Sequence, residues 1–193
     1  MSLPARPAPD LRTSTGFTLI EMLVVMVIAS ILVAVGLPNF QNFIRDQRVR
    51  AIASDMLGDF ALARSEAVRF SGRAVIARAG FAGCTVAGTT WRDGWCVFID
   101  NNANTTMDAG EVIKVQQGVG GQVRICSATT DFANTVIFGP RGQVVRASAI
   151  GADDGITITD DSTGAGNSRT RVLMFGLVGR VTTVNLNDAT PPC

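Results

Sequence analysis

The sequence predicts an α+β protein in which one long N-terminal helix lies against antiparallel β-sheets, and three observations carry that expectation. From Met22 to Ile44 there are 23 residues without a charge. As a helix rising about 1.5 Å per residue, that run spans roughly 34 Å, enough to cross a hydrocarbon core. Beyond Pro38 the apolar residues Phe40, Phe43, Ile44, Ile52, Met56, Phe60, Ala63, Ala67 and Phe70 recur mostly every three or four positions. Arg48, Asp55, Asp59, Arg64 and Glu66 lie between them, the pattern of an amphipathic helix. From Arg73 the chain changes to short β-branched runs separated by Gly, Asn, Asp and Thr, which read as strands and turns.

In chain order, residues 1–16 hold three prolines and no apolar run, and read as a leader that is discarded. Residues 17–38 form a membrane or filament-core helix, and residues 39–72 continue it as an amphipathic one. The helix is expected over Phe17 to Ser71, ended by Gly72. Pro38 removes an N–H donor and frees the carbonyl of Ala34, so the helix is weakest there and able to bend or unwind. Strands are expected near 73–79, 94–99, 111–116, 122–127, 135–138, 142–147, 155–159, 170–175 and 178–186. Gly139-Pro140-Arg141-Gly142 and Phe175-Gly176-Leu177 read as hairpin connections. Asp153 to Asn167 reads as a mobile polar stretch around one weak strand. Residues 73–193 make the β domain.

Composition narrows the function. Loss of residues 1–16 removes Arg6, Asp10 and Arg12 and leaves a formal charge of zero, so bulk charge offers no case for nucleic-acid binding. The chain has no histidine and four cysteines, Cys84, Cys96, Cys126 and Cys193. Lacking histidine and any Cys-x-x-Cys pair, a zinc site would need all four thiolates from distant loops. Disulfides in an oxidising compartment are the favoured alternative. Of three possible connectivities we favour Cys84 with Cys96, closing a short loop, and Cys126 with Cys193, stapling the C-terminus to a strand. Disulfides place the domain outside the cytoplasm, which flanking charge does not decide, since Arg6 and Arg12 lie on one side of the apolar run and Arg45, Arg48 and Arg50 on the other. With no histidine base and no paired carboxylates in a catalytic setting, the chain reads as a non-enzyme without cofactors.

A single carboxylate, Glu21, stands at the start of the apolar run, where it would cost about 2.5 to 3.5 kcal/mol if charged and unpaired near the bilayer interior. A free amine at Phe17, created by a cut after Gly16, would supply a partner from another chain. Gly16-Phe17-Thr18-Leu19-Ile20-Glu21 before an apolar helix resembles the class III signal of type IV prepilins and type II secretion pseudopilins. The resemblance implies cleavage after Gly16 and N-methylation of Phe17 by a prepilin peptidase, pairing of Glu21 with a neighbouring subunit's amine, and a stretch near Pro38 that melts in the filament. An ordinary secretory signal accounts for neither Glu21 nor the helical pattern past Pro38, and a plain membrane anchor accounts for neither Gly16 nor Glu21.

Three further segments, Ala63-Arg64-Ser65-Glu66-Ala67, Trp91-Arg92-Asp93-Gly94-Trp95-Cys96-Val97-Phe98-Ile99-Asp100 and Ile137-Phe138-Gly139-Pro140-Arg141-Gly142, resemble the domain shared by minor pseudopilin H and the minor pilins FimT and FimU, the GspH/FimT family. The resemblance covers essentially the whole mature chain. It implies a pilin-like fold and a structural role in filament initiation or tip assembly, in a type IV pilus or a type II secretion system. The implied partners are the peptidase, other minor and major pilins or pseudopilins, and the bacterial inner membrane, crossed once with the C-terminal domain in the periplasm. FimT-type members similar to this chain carry a DNA-binding Gly-Arg-x-Arg motif, where this sequence has Gly179-Arg180-Val181-Thr182. The second arginine is missing. If their hairpin forms, Arg169 and Arg171 on the preceding strand approach Arg180 and rebuild a small basic patch that binds DNA weakly; the alternative is three separate solvated charges.

Asp100-Asn101-Asn102-Ala103-Asn104-Thr105-Thr106-Met107-Asp108-Ala109-Gly110-Glu111 spaces oxygen ligands as a calcium loop does. Asp100, Asn102, Asn104, Asp108 and Glu111 fall at positions 1, 3, 5, 9 and 12, and Thr106 supplies the carbonyl at 7. Position 6, usually glycine, is Thr105, and the expected flanks are strands rather than helices. The favoured reading is a polar hairpin loop rich in Asn and Asp for turn reasons.

Overall fold

The structure, a computed structural model, describes residues 16–127, 132–145, 155–160, 170–176 and 178–186. The chain divides into two compact units, Met1–Asn42 and Phe43–Cys193. Helix α1, Leu19–Arg69, supplies the described helical part of the first unit and the opening element of the second. Thr18 caps it: its hydroxyl accepts the Glu21 N–H at 3.3 Å and its carbonyl accepts the Met22 N–H. This satisfies one of the donors that a helix start leaves free. The backbone stays helical through Pro38, so the unwinding that the proline permits is not present here.

The helix ends at Arg69, two residues before the expected Ser71, and its left-handed residue is not the glycine. Ser71, not Gly72, takes the left-handed conformation, at φ 50°. Gly72 N–H bonds to the Ala67 carbonyl and Ser71 N–H to the Val68 carbonyl, the paired bonds of a Schellman terminus.

Among the described residues nine strands follow: β1 (Arg73–Arg78), β2 (Gly94–Asp100), β3 (Val112–Gln117), β4 (Val123–Ser127), β5 (Thr135–Phe138), β6 (Val144–Val145), β7 (Gly155–Asp160), β8 (Thr170–Phe175) and β9 (Val181–Leu186). They form a five-stranded sheet in the order β3-β2-β1-β5-β6 and a four-stranded sheet in the order β4-β7-β8-β9, with every pairing antiparallel. The expected strands are all present, although that at 142–147 begins only at Val144, with 146 and 147 outside the described residues, and that at 178–186 begins only at Val181.

In the second unit α1 buries Val49, Ile52, Ala53, Met56, Phe60, Ala63 and Ala67. Their spacing of three or four puts them on one face. They share one core with Ala74, Ile76, Trp95, Val97 and Ile99 of the first sheet and Ile125, Ile156, Ile158, Leu173 and Phe175 of the second. Phe60 meets the Phe175 ring edge-on at 5.0 Å between centroids. Phe43, Ile44 and Phe70, read as part of this stripe from spacing, are exposed, as is Phe40 in the first unit. Val49 takes their place, which periodicity alone did not single out.

The other face of the first sheet carries a smaller core of Val75, Ala77, Ala79, Cys84, Val86, Cys96 and Phe98. Cys84 and Cys96 are disulfide-bonded across it, with Cα atoms 5.5 Å apart. Covering both faces is why β2 is buried along its whole length. Cys126 is also disulfide-bonded; Cys193 lies outside the described residues, as does most of the stretch 153–167.

Within that stretch the strand expected to be weak, β7, is central. It pairs with β4 on one side and β8 on the other, and all six residues are buried. Its Thr157 and Thr159 lie in the run read as a strand near 155–159. Threonine is β-branched and fits a strand, and the Thr159 hydroxyl accepts a hydrogen bond from the Thr170 hydroxyl at 3.2 Å inside the core.

Asp59 is the second departure from pattern. Read as a solvated residue of the helix, it is buried. Its carboxylate accepts the Trp95 indole N–H at 2.8 Å and a Lys114 ammonium hydrogen at 2.6 Å. One helix residue thereby fixes β2 and β3 in register against it. Replacing Asp59 with alanine strands a buried indole N–H, and is expected to lower unfolding stability by about 2 to 3 kcal/mol. Denaturant titration checks this; a loss below half a kcal/mol would contradict it.

Candidate functional site

The site begins at the N-terminus. Gly16 and Phe17 precede α1, and Phe17 is 76% exposed. Every residue with a described side chain from Leu19 to Leu37 is exposed, and none of the most apolar window of the helix is buried within the structure. The segment is long and apolar enough to cross a membrane. Ser30, a polar interruption, turns its hydroxyl to the Val27 carbonyl at 2.7 Å, which removes its need for water. Glu21, in the first turn, is exposed and forms no ion pair among the described residues. The helix N-terminus favours a negative charge there, yet among the described residues no cation pairs with the carboxylate. Chemically this is an apolar rod with one acceptor for a positive group.

The segments that carried the family resemblance act as joints of the fold. Arg64 donates through Nε to the Gly142 carbonyl and through Nη2 to the Val178 carbonyl, both at 3.1 Å. One guanidinium thus ties α1 to the β5–β6 turn of the first sheet and the β8–β9 turn of the second. Gly142 and Gly179 have φ of 72° and 76°, and a Cβ on Gly179 would collide with the Gly142 carbonyl, so the turns approach this closely only as glycines. Trp91 donates its indole N–H to the Phe132 and Ala133 carbonyls. Asp93 Oδ2 accepts the Thr89 N–H, the Thr90 N–H and the Thr90 hydroxyl, at 3.0, 3.0 and 2.8 Å. The Thr89 backbone bond, then the Thr90 hydroxyl, hold its carboxyl below the ordinary value of 3.8.

Of the arginines expected to form a basic patch, Arg171 and Arg180 are apart. Arg171 faces Asn185 across the hairpin, whereas Arg180 lies at the turn just before Val181, which pairs with Phe175. About five strand residues, some 16 Å, separate them. Arg171 is half-buried and ion-paired with Asp46 at 3.8 Å, and Arg169 lies outside the described residues. Arg180 is exposed and shares with Arg64 the rim of a groove of about 500 Å³ over Leu57, Phe60, Ala61 and Val68. The calcium-spaced residues Asp100 to Glu111 form the β2–β3 connection, flanked by strands.

A bare apolar helix with a lone carboxylate in its first turn, continuing into a domain of two antiparallel sheets, defines a pilin-like subunit. A model of the family described as Type II transport protein GspH matches residues 53–178, and the prokaryotic N-terminal methylation motif matches residues 11–37. The chain belongs to the GspH family. It is 32% identical over 136 residues to the pilin-like protein PilA1 of Thermus thermophilus, covering 67% of this chain and 79% of that protein. In fold it is similar to the crystal structure of the type IV minor pilin FimU of Pseudomonas aeruginosa, with a TM-score of 0.50, 14% identity, and coverage of 77% of this chain and 99% of that one.

Two outcomes follow from the geometry. Asp93→Ala should lower the melting temperature at neutral pH. The deficit should shrink as pH falls below about 3.8, because a carboxyl whose folded pKa is depressed loses its contribution on protonation; a deficit unchanged at pH 2.5 would contradict this. Duplex DNA should bind weakly, with a log-log salt slope of about −1 to −2, since Arg180 stands without a second strand arginine. Thr182→Arg, which restores the second basic position two residues on and on the same strand face, should steepen that slope. Tight wild-type binding at physiological salt, lost in Arg180→Ala, would contradict it.

Proposed function

We propose that the chain is a minor pilin or pseudopilin that is cut after Gly16, methylated on Phe17, held once across the inner membrane with its β domain in the periplasm, and then drawn into a filament, where it helps initiate assembly at the tip. The observation that carries this reading is the uncovered apolar surface of residues 19–37 with Glu21 at its start. Glu21 then pairs with the N-terminal amine of an adjoining subunit, which cancels a charge that lipid or a helix bundle would otherwise penalise. A disulfide between Cys84 and Cys96 suits an oxidising compartment. That PilA1 is described as pilin-like and FimU as a type IV minor pilin supports a filament rather than a free-standing anchored domain. The role is structural, with protein secretion or pilus extension as its output.

Mass spectrometry of the N-terminal peptide should find N-methyl-Phe17 as the first residue. A mature chain starting beyond Gly36 would overturn the reading. Glu21→Ala should leave membrane insertion intact, since it removes a charge from an apolar segment, while recovery in purified filaments falls at least tenfold. Unchanged recovery would remove the pairing role.

A further inference from the structure

The oxygens of the β2–β3 loop are taken up within it: Asn102 accepts the Asn104 N–H, Asn104 the Thr106 N–H, and Glu111 the Asn101 and Asp108 N–H groups. The outer edge of β9 is not taken up in this way. A sheet edge presents a row of free N–H and C=O groups, and natural edges are blunted by charges, prolines or bulges against pairing with a second chain. The edge strand β3 carries Lys114, and its register slips by one residue between Lys114 and Val112. The edge strand β4 carries Arg124. By contrast β9, Val-Thr-Thr-Val-Asn-Leu, has neither charge nor proline, and it pairs with β8 without a slip from Val181 to Leu186. Thr182, Thr183, Val184 and Asn185 are all exposed, so both faces of the strand reach solvent.

The hairpin that leads into β9 fixes which of its backbone groups are free. Gly176 N–H bonds to the Arg180 carbonyl at 2.8 Å and Gly179 N–H to the Gly176 carbonyl at 2.9 Å, which closes a three-residue loop on the pair Gly176 and Arg180. Opposed residues of an antiparallel ladder alternate between hydrogen-bonded and non-bonded pairs. Followed along the register from that pair, the alternation makes Thr182, Val184 and Leu186 the residues that bond inward to β8. The N–H and C=O groups of Val181, Thr183 and Asn185 therefore point away from the sheet, and among the described residues no backbone group pairs with them there.

Beside this edge lies the groove rimmed by Arg64 and Arg180. Leu57, Phe60, Ala61 and Val68 of α1 form its floor, Val181 walls it, and no residue of β8 lines it, so it opens on the outer side of β9. No carboxylate lines it either, and Arg180 is exposed, with no hydrogen bond or ion pair of its side chain among the described residues. We propose that β9 receives an extended segment of another protein as a further strand of the second sheet, apolar at alternate positions and carrying a carboxylate at the end that meets Arg180. Backbone pairing with Val181, Thr183 and Asn185 supplies affinity, the alternate side chains that enter the groove supply selectivity, and the carboxylate matches the unpaired guanidinium. A second copy of β9 fits poorly, because it brings another Arg180 and has no carboxylate in the strand. The site lies wholly beyond Asn42 and does not depend on cleavage, methylation or entry into a filament.

The probe is a fluorescein-labelled synthetic peptide, Glu-Val-Thr-Val-Thr-Val, titrated with the full-length protein in detergent micelles and followed by fluorescence anisotropy. Saturable binding is expected with a dissociation constant at or below about 1 mM. Thr183→Pro removes an outward N–H without touching a bond to β8, and an edge strand tolerates proline. This variant should melt as the wild type does yet bind about tenfold more weakly, while Thr183→Val, which keeps the N–H, should bind unchanged. Arg180→Glu should weaken binding about fivefold and favour a peptide with lysine in place of its glutamate. If Thr183→Pro fails to fold, the same peptide methylated on every backbone nitrogen decides the point with the wild type, since it keeps the side chains, cannot pair and should not bind. No saturable binding by the wild type, undiminished binding by Thr183→Pro, binding of the methylated peptide, or a wild-type dimer that Thr183→Pro dissolves would overturn the assignment.

Discussion

The residues from Leu19 to Leu37 form an apolar surface that stays exposed among the described residues. Water penalises such a surface in proportion to its area, and a continuous patch of this extent marks a place where something else binds. Lipid is the first solvent that fits. The apolar segments of other subunits are the second, and in the proposed function the acceptor at Glu21 would pair with a cation at the matching depth. The C-terminal part of the same helix meets the same requirement internally: its apolar face, from Val49 to Ala67, is covered by the two sheets. One element thus carries two apolar surfaces, one satisfied by folding and the other left for assembly.

Much of this was legible in the sequence, because hydrophobic patterning reports burial directly. The unbroken apolar run, the helix bounds to within two residues and the strands followed from charge-free length, period and β-branched runs. The misreadings share a cause: periodicity marks a face but not where a partner ends. Phe43, Ile44 and Phe70 keep the helical spacing yet lie beyond the reach of the sheets, and Asp59, a charged residue at core spacing between Met56 and Ala63, is buried because Trp95 and Lys114 come from strands far away in sequence to meet it. At β7 the run near 155–159 reads as a strand in the sequence, and what the pattern does not show is that β4 and β8 flank it on both sides.

The candidate sites divide on the same line. Gly16, Phe17 and Glu21 are contiguous, so their motif could be read without tertiary structure. Whether Arg171 would meet Arg180 depended on hairpin register, and the register sets them at opposite ends, with Asp46 taking Arg171. Arg64 illustrates the converse. Its segment was recognisable by resemblance alone, while its work of drawing two hairpin turns onto the helix becomes visible only when both sheets are in place. The close approach it holds also explains why glycines occupy positions 142 and 179.

A photo-reactive side chain placed at Val24, in the middle of the uncovered surface, tests the central claim most directly. In cells lacking the prepilin peptidase it should form adducts with lipid, and in purified filaments it should cross-link to the N-terminal helix of another pilin subunit. Adducts formed instead with residues 43–193 of the same chain, in either preparation, would mean that the protein covers this surface itself, and would contradict the account.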